Sequence, residues 1–242
     1  MTPSAATPIL EVDRLRAGYG RIPILNGVSF KLAAGQVIGV LGHNGMGKTT
    51  LMRTLIGHIG ATDGSIRLDG HDIAREPTHV RVRRGLGYIP QGREIFPQLS
   101  VLDNLRIGAI GRTEKDHVVI AAVLEDFPAL KRLLGRVGGT LSGGEQQILA
   151  IARCLCGGPR VVLLDEPTEG IQPSIVESIT EILLHLKTAR GLTMVLVEQN
   201  LEFVTALSDR VLVLQRGVVV QELDAKRLGE AEIVNQIVGI DR

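Results

Sequence analysis

Gly42-His43-Asn44-Gly45-Met46-Gly47-Lys48-Thr49 fits the pattern G-x-x-x-x-G-K-[ST] at every fixed position. It stands directly after the apolar run Val37 to Leu41 and directly before the helical run Thr50 to Ile56. A strand, a glycine-rich loop and a helix in this order distinguish the motif from a turn with a chance Lys-Thr. The glycines let the backbone curl until successive N–H groups face a phosphate, and the helix adds its positive end. Gly42, Asn44, Gly45, Met46, Gly47 and Thr50 are then the cradle. Lys48 supplies charge to the β- and γ-phosphates, and the Thr49 hydroxyl holds Mg²⁺.

The rest of the chain reads as a layered α/β domain with a mostly parallel sheet. Strands are expected at Ile9 to Leu15, Val28 to Leu32, Val37 to Leu41 and Ser65 to Leu68, two of them in a small antiparallel layer. From Ser100 to Cys156 the apolar spacing turns helical, as in Val101, Leu102 and Leu105, then Val119, Val123, Leu124 and Phe127. This predicts an inserted helical subdomain, residues 92–156, within one domain whose core is 1–91 and 157–242. Strands return at Val161 to Leu164, Thr193 to Val197, Arg210 to Gln215 and Val218 to Glu222. Helices are expected over Pro173 to Ala189 and Glu230 to Val238.

Composition excludes several classes. With no Trp, two Tyr and four Phe, the chain lacks rings for stacking single-stranded bases. Its 27 basic and 26 acidic residues are mixed, so no field draws nucleic acid or anionic lipid. No apolar run reaches membrane-spanning length, and Met1 to Pro8 has no signal-peptide core. A cytoplasmic protein that meets a membrane only through a protein partner is expected. Cys154 and Cys156 have no further Cys to complete a metal site and read as packing residues.

Val161 to Leu164 is an apolar run ending in Asp165-Glu166, two acids at the carboxyl edge of a sheet. Alone they would be a solvated strand end. Beside a phosphate loop, Asp165 is expected to reach Mg²⁺, and Glu166 to orient or deprotonate an attacking water. Tyr19 precedes Gly20 in a polar turn, where its ring could lie on an adenine face.

Leu141-Ser142-Gly143-Gly144-Glu145-Gln146-Gln147, just before a helical run, resembles the signature motif of ABC ATPases. The resemblance covers nearly the whole chain, with the elements in the family's order. It implies a P-loop NTPase fold of the ABC type and hydrolysis of ATP with Mg²⁺. It also implies that Ser142, Gly143, Gly144 and Glu145 serve the nucleotide of a partner subunit. Ser142 and Glu145 also suit a capping box. Tyr19 matches the family's adenine-stacking aromatic, and Gln91 the glutamine that senses Mg²⁺ and the attacking water. Gly92 to Val101 matches the segment facing membrane subunits, with Ile95, Phe96 and Leu99 either a docking patch or core.

Two stretches depart from the family pattern. Gln199, in Leu196-Val197-Glu198-Gln199-Asn200, stands where a switch histidine is expected. Its amide can donate a hydrogen bond to a γ-phosphate but carries no proton. Thr168-Glu169-Gly170-Ile171-Gln172-Pro173 lacks the aspartate common at that turn. Glu-Gln-Asn at the switch resembles importers of branched-chain amino acids, urea and short amides that use two different ATPase subunits. Met46 and the segment Glu169 to Pro173 look most like the urea-importer ATPase, with a branched-chain amino acid importer as the alternative. The implied partners are a second ATPase subunit, two transmembrane permease subunits and, indirectly, a periplasmic solute-binding protein, at the cytoplasmic face of the inner membrane. A non-transport cytosolic ABC ATPase is the reading of a different class.

Overall fold

The computed structural model describes residues 7–229. In chain order it contains β1 (Leu10–Tyr19), β2 (Ile22–Leu32), β3 (Val37–Leu41), α1 (Lys48–Ile56), β4 (Ala61–Leu68), β5 (His71–Asp72), α2 (Thr78–Arg83) and β6 (Leu86–Ile89). It continues through α3 (Val101–Gly108), α4 (Asp116–Asp126), α5 (Pro128–Lys131) and α6 (Gly143–Cys156). It then returns with β7 (Val161–Asp165), α7 (Pro173–Arg190), β8 (Thr193–Val197), α8 (Leu201–Leu207), β9 (Arg210–Gln215) and β10 (Val218–Asp224).

The main sheet has the order β10-β9-β3-β8-β7-β6 and is parallel except for β10. β3, β7 and β8 are buried along their whole length, which suits continuous apolar runs covered on both faces. Alternate residues enter two different cores. Val161 and Leu163 pack with Leu51 and Leu55 of α1 and with the second sheet. Val162 and Leu164 face the inserted helices, with Leu149 and Phe127.

The second sheet, β2-β1-β4-β5, is antiparallel and larger than the small layer expected. β1 and β2 run on to a tight hairpin, with Tyr19 level with Ile22, so Tyr19 ends a strand instead of lying in a free turn. The sequence pattern stopped at Leu15 because the register shifts again between Leu15 and Arg16 and between Ala17 and Gly18. Such a shift breaks the two-residue alternation that marks a strand. The short α2 and α8 have too few turns to print a helical period. The helix expected at Glu230 to Val238 lies outside the described residues.

Arg81 of α2 is fully buried and donates to the carbonyl oxygens of Thr54 and Leu55 (both 2.7 Å), Ala74 (2.8 Å) and Glu76 (2.8 Å). It thereby fastens the carboxyl end of α1. At the far side, Asp126 of α4 pairs with Arg190 (2.7 Å) and His185 (3.5 Å) of α7, which ties the inserted helices to the sheet layer. No helix among the described residues is long and apolar enough to cross a membrane.

Candidate active site

The phosphate loop leads from the buried strand β3 into α1, and Gly47 at the helix start holds a φ of 101° that any side chain would strain. No side chain caps this helix, so its first N–H groups point unsatisfied out of the loop. Lys48 is buried and folds back across the loop. Its Nζ donates to the carbonyls of Gly42 (2.7 Å) and His43 (3.3 Å) and lies 3.5 Å from Glu166 Oε1.

β7 and β8 run parallel with Asp165 level with Val197, so both carry acids to one edge. Glu166 turns out of the strand at a φ of 47°, its N–H donating to Val197 O at 2.9 Å. A non-glycine residue in that region is strained and needs its surroundings to hold it. Its carboxylate faces Lys48, the Gln91 amide (3.3 Å) and the Gln199 amide (3.2 Å). Gln91 also donates to Glu169 (2.8 Å), and Gln199 to Asn44 (2.9 Å).

Asp165 is fully buried and accepts hydrogen bonds from Thr49 (3.3 Å) and Tyr88 (3.2 Å). Burial pushes its carboxyl up to about 6, against the opposing pull of those two donors. Burial and the neighbouring Asp165 push the Tyr88 phenol above its ordinary value, so it remains a donor. Thr49, Asp165 and the Gln91 amide oxygen are hard oxygen donors of the kind Mg²⁺ takes beside substrate phosphates. The described residues hold no group of three or more His, Cys, Asp or Glu that would form a dedicated cage. The donor set therefore fits a Mg²⁺ shared with substrate.

Lys48, Thr49, Gln91, Glu166 and Glu169 border a cleft of about 390 Å³, lined also by Ile24, Asn44, Gly45, Gly47 and Thr50. Tyr19 lies outside that lining. It is half exposed and borders an adjoining cleft of about 240 Å³ with Arg53, Tyr88, Asp165 and Gln91, which belongs to both. Ser142, Gly143, Gly144 and Glu145 also stand apart from the cleft, at the start of α6. There the Ser142 hydroxyl accepts from Glu145 N–H (3.3 Å) and Glu145 accepts from Ser142 N–H (2.8 Å), a complete capping box. The Ser142 N–H holds the Glu145 carboxyl below its ordinary value. The N–H groups of Gly143, half-buried, and Gly144, buried, lie in the first turn, where no helix satisfies them internally.

Of the expected docking patch, Ile95 packs on the core while Phe96 is exposed, with the Arg153 guanidinium 5.2 Å from its ring centre. Cys154 and Cys156 are packing residues whose thiols burial pushes up to about 12. Sequence reasoning missed Tyr88 and Glu169 in the linings of the two clefts, and Glu198 behind them. Glu198 carried the signal that found Asp165, an acid at the end of an apolar strand. Tyr88 carried a weaker one, a lone hydroxyl in an apolar edge strand.

The family described as ABC transporter matches residues 25–169. The chain is 40% identical over 213 residues to the high-affinity branched-chain amino acid transport ATP-binding protein BraG of Pseudomonas aeruginosa, covering 88% of this chain and 91% of that one. It is 32% identical over 227 residues to BraF, a protein of the same description from the same organism, covering 87% and 89%. A crystal structure of an ATP-binding cassette of an ABC transporter in its ADP conformation aligns with a TM-score of 0.85 at 27% identity, over 97% of this chain and 100% of that one. The chain belongs to the ABC transporter family, as an ATPase that binds ATP with Mg²⁺ and couples its hydrolysis to transport.

Proposed function

We infer that this chain is one of two unequal ATPase subunits powering an importer of branched-chain amino acids, bound to two permease subunits at the cytoplasmic face of the membrane. The observation that carries the reading is the pair of relatives from one organism, both named for high-affinity branched-chain amino acid transport. Identity is 40% to BraG and 32% to BraF, which supports the BraG-like seat of such a pair. Urea or a short amide is the second reading. It is favoured by Met46 and by Glu169-Gly170-Ile171-Gln172-Pro173, and the curated relatives support it less well.

In the proposed cycle, Lys48 and the start of α1 hold the β- and γ-phosphates, and Tyr19 meets the adenine. Thr49, Asp165 and Gln91 would hold Mg²⁺, which when bound would supply positive charge against the charge developing on the transferred phosphoryl group. Glu166 orients the attacking water and accepts its proton. Gln199 donates a hydrogen bond toward the γ-phosphate, and being uncharged it leaves the proton to Glu166. Ser142, Gly143 and Gly144 present one hydroxyl and two N–H donors to the partner's nucleotide, with Glu145 fixing the helix start. Residues 92–156 act as the subdomain that carries these donors and meets the permease. Closure of the two subunits on ATP supplies the stroke, and hydrolysis reopens them.

The test is ATP turnover by the complete transporter in vesicles, with its binding protein outside. Leucine-loaded binding protein is expected to stimulate turnover and uptake several-fold over urea-loaded protein. Stimulation by urea alone would transfer the assignment to the second reading.

A further inference from the structure

Glu198 directly follows β8 and is 3% exposed, and its carboxylate divides its hydrogen bonds between two loops. Oε1 accepts from the Thr168 N–H at 2.8 Å and from the Thr168 hydroxyl at 2.5 Å. Oε2 accepts from the N–H groups of Gln199 at 2.7 Å and Asn200 at 3.2 Å. A carboxylate this deeply buried is costly unless its lone pairs are filled, and four donors fill them. One oxygen thus belongs to the loop that leaves Glu166, and the other to the loop that carries Gln199.

The two loops need such a tie. Glu166 sits at a φ of 47° and is fixed on one side by its N–H bond to Val197 O. Thr168, two residues on, is fixed by Glu198, so the strained residue is pinned from both sides. Gln199, held at its own N–H, is the residue whose amide reaches Glu166 Oε1 at 3.2 Å. The two departures from the family pattern, at the Thr168 loop and at Gln199, therefore share one side chain.

We propose that Glu198 is a positioning residue for hydrolysis, holding Glu166 and Gln199 as one rigid unit through the Thr168 loop. This rests on the assignment of Glu166 to the hydrolytic step. Glu198 touches neither the phosphate loop nor the lining of the cleft, so its effect is on turnover and not on nucleotide binding.

Two variants of the full-length chain test the proposal. Glu198→Gln keeps the size but turns an NH₂ group toward one set of N–H donors, so one loop is released. Its kcat is expected to fall about ten- to a hundredfold, with KM and the affinity for a fluorescent ATP analogue within about threefold of wild type. Thr168→Val removes only the hydroxyl donor, and a fall of about two- to fivefold in kcat with unchanged KM is expected. The milder variant carries the test alone if Glu198→Gln does not fold. Wild-type kcat in the folded variants, or a loss of nucleotide affinity matching the loss of kcat, overturns the positioning role. Full hydrolysis by Glu166→Gln would instead remove the assignment on which the role rests, and the role with it.

Discussion

Asp165 sets folding against function within a single side chain. Its native carboxyl titrates near 6 because it is buried, whereas an unfolded aspartate titrates near 4. An acid raised in this way contributes stability below its unfolded pKa and loses it as pH rises through the native value. At pH 8 the buried charge therefore costs the nucleotide-free protein about 1–3 kcal/mol. Asp165→Asn is expected to raise the melting temperature at pH 8 by about 3–8 °C, to flatten the fall in stability between pH 4 and 6, and to abolish hydrolysis. Thermal scans at pH 5 and pH 8 check it, and a variant less stable than wild type at pH 8 contradicts it. Lys48, Thr49, Asp165 and Glu166 were legible in the sequence because each stands at a fixed offset from an apolar strand. The roles of Tyr88 and Glu198 were not, because the partners of both lie across the sheet edge, and strand order is not written in any local pattern.

The start of α6 serves two purposes at the level of the element. Its capping box, legible as Ser142 and Glu145 three apart, fixes where the helix begins. Gly144 was also legible, but only as an anion contact. The structure adds a packing reason, since a Cβ there would lie 2.4 Å from the Ile175 side chain of α7. Gly144→Ala is accordingly expected to destabilise the chain by about 1–3 kcal/mol, read from the urea midpoint, because α6 must lift from α7. A midpoint within error of wild type would show that the contact yields freely. The long hairpin β1–β2 illustrates the opposite limit of reading. Its register shifts beyond Leu15 hide the alternation, so the part of each strand nearest the turn emerges only from pairing.

Across the whole molecule, the cleft residues and the start of α6 occupy different regions of one chain, which supports the proposal that a second subunit completes the site. Mixed with its partner ATPase subunit and ATP, Glu166→Gln is expected to elute from a sizing column as a dimer, and without ATP as monomers. Adding Ser142→Ala should return it to the monomer position while leaving ATP-analogue binding within about threefold. A dimer that persists in the double variant would remove Ser142 from the interface. The layered α/β architecture was readable from the order of apolar runs. The size of the antiparallel sheet was not, because register shifts interrupt its pattern.

The buried Arg81 bears on how α1 acts at a distance. A helix is a dipole, whose potential falls off as the square of distance because its two ends oppose each other. Here the negative end is met by a permanently charged guanidinium bonded to the Thr54 and Leu55 carbonyls. With that end offset, the opposite end is left as the uncompensated positive pole of the helix. A phosphate seated at Gly47 thus meets the positive end of α1 with less opposition from the far end of the same helix.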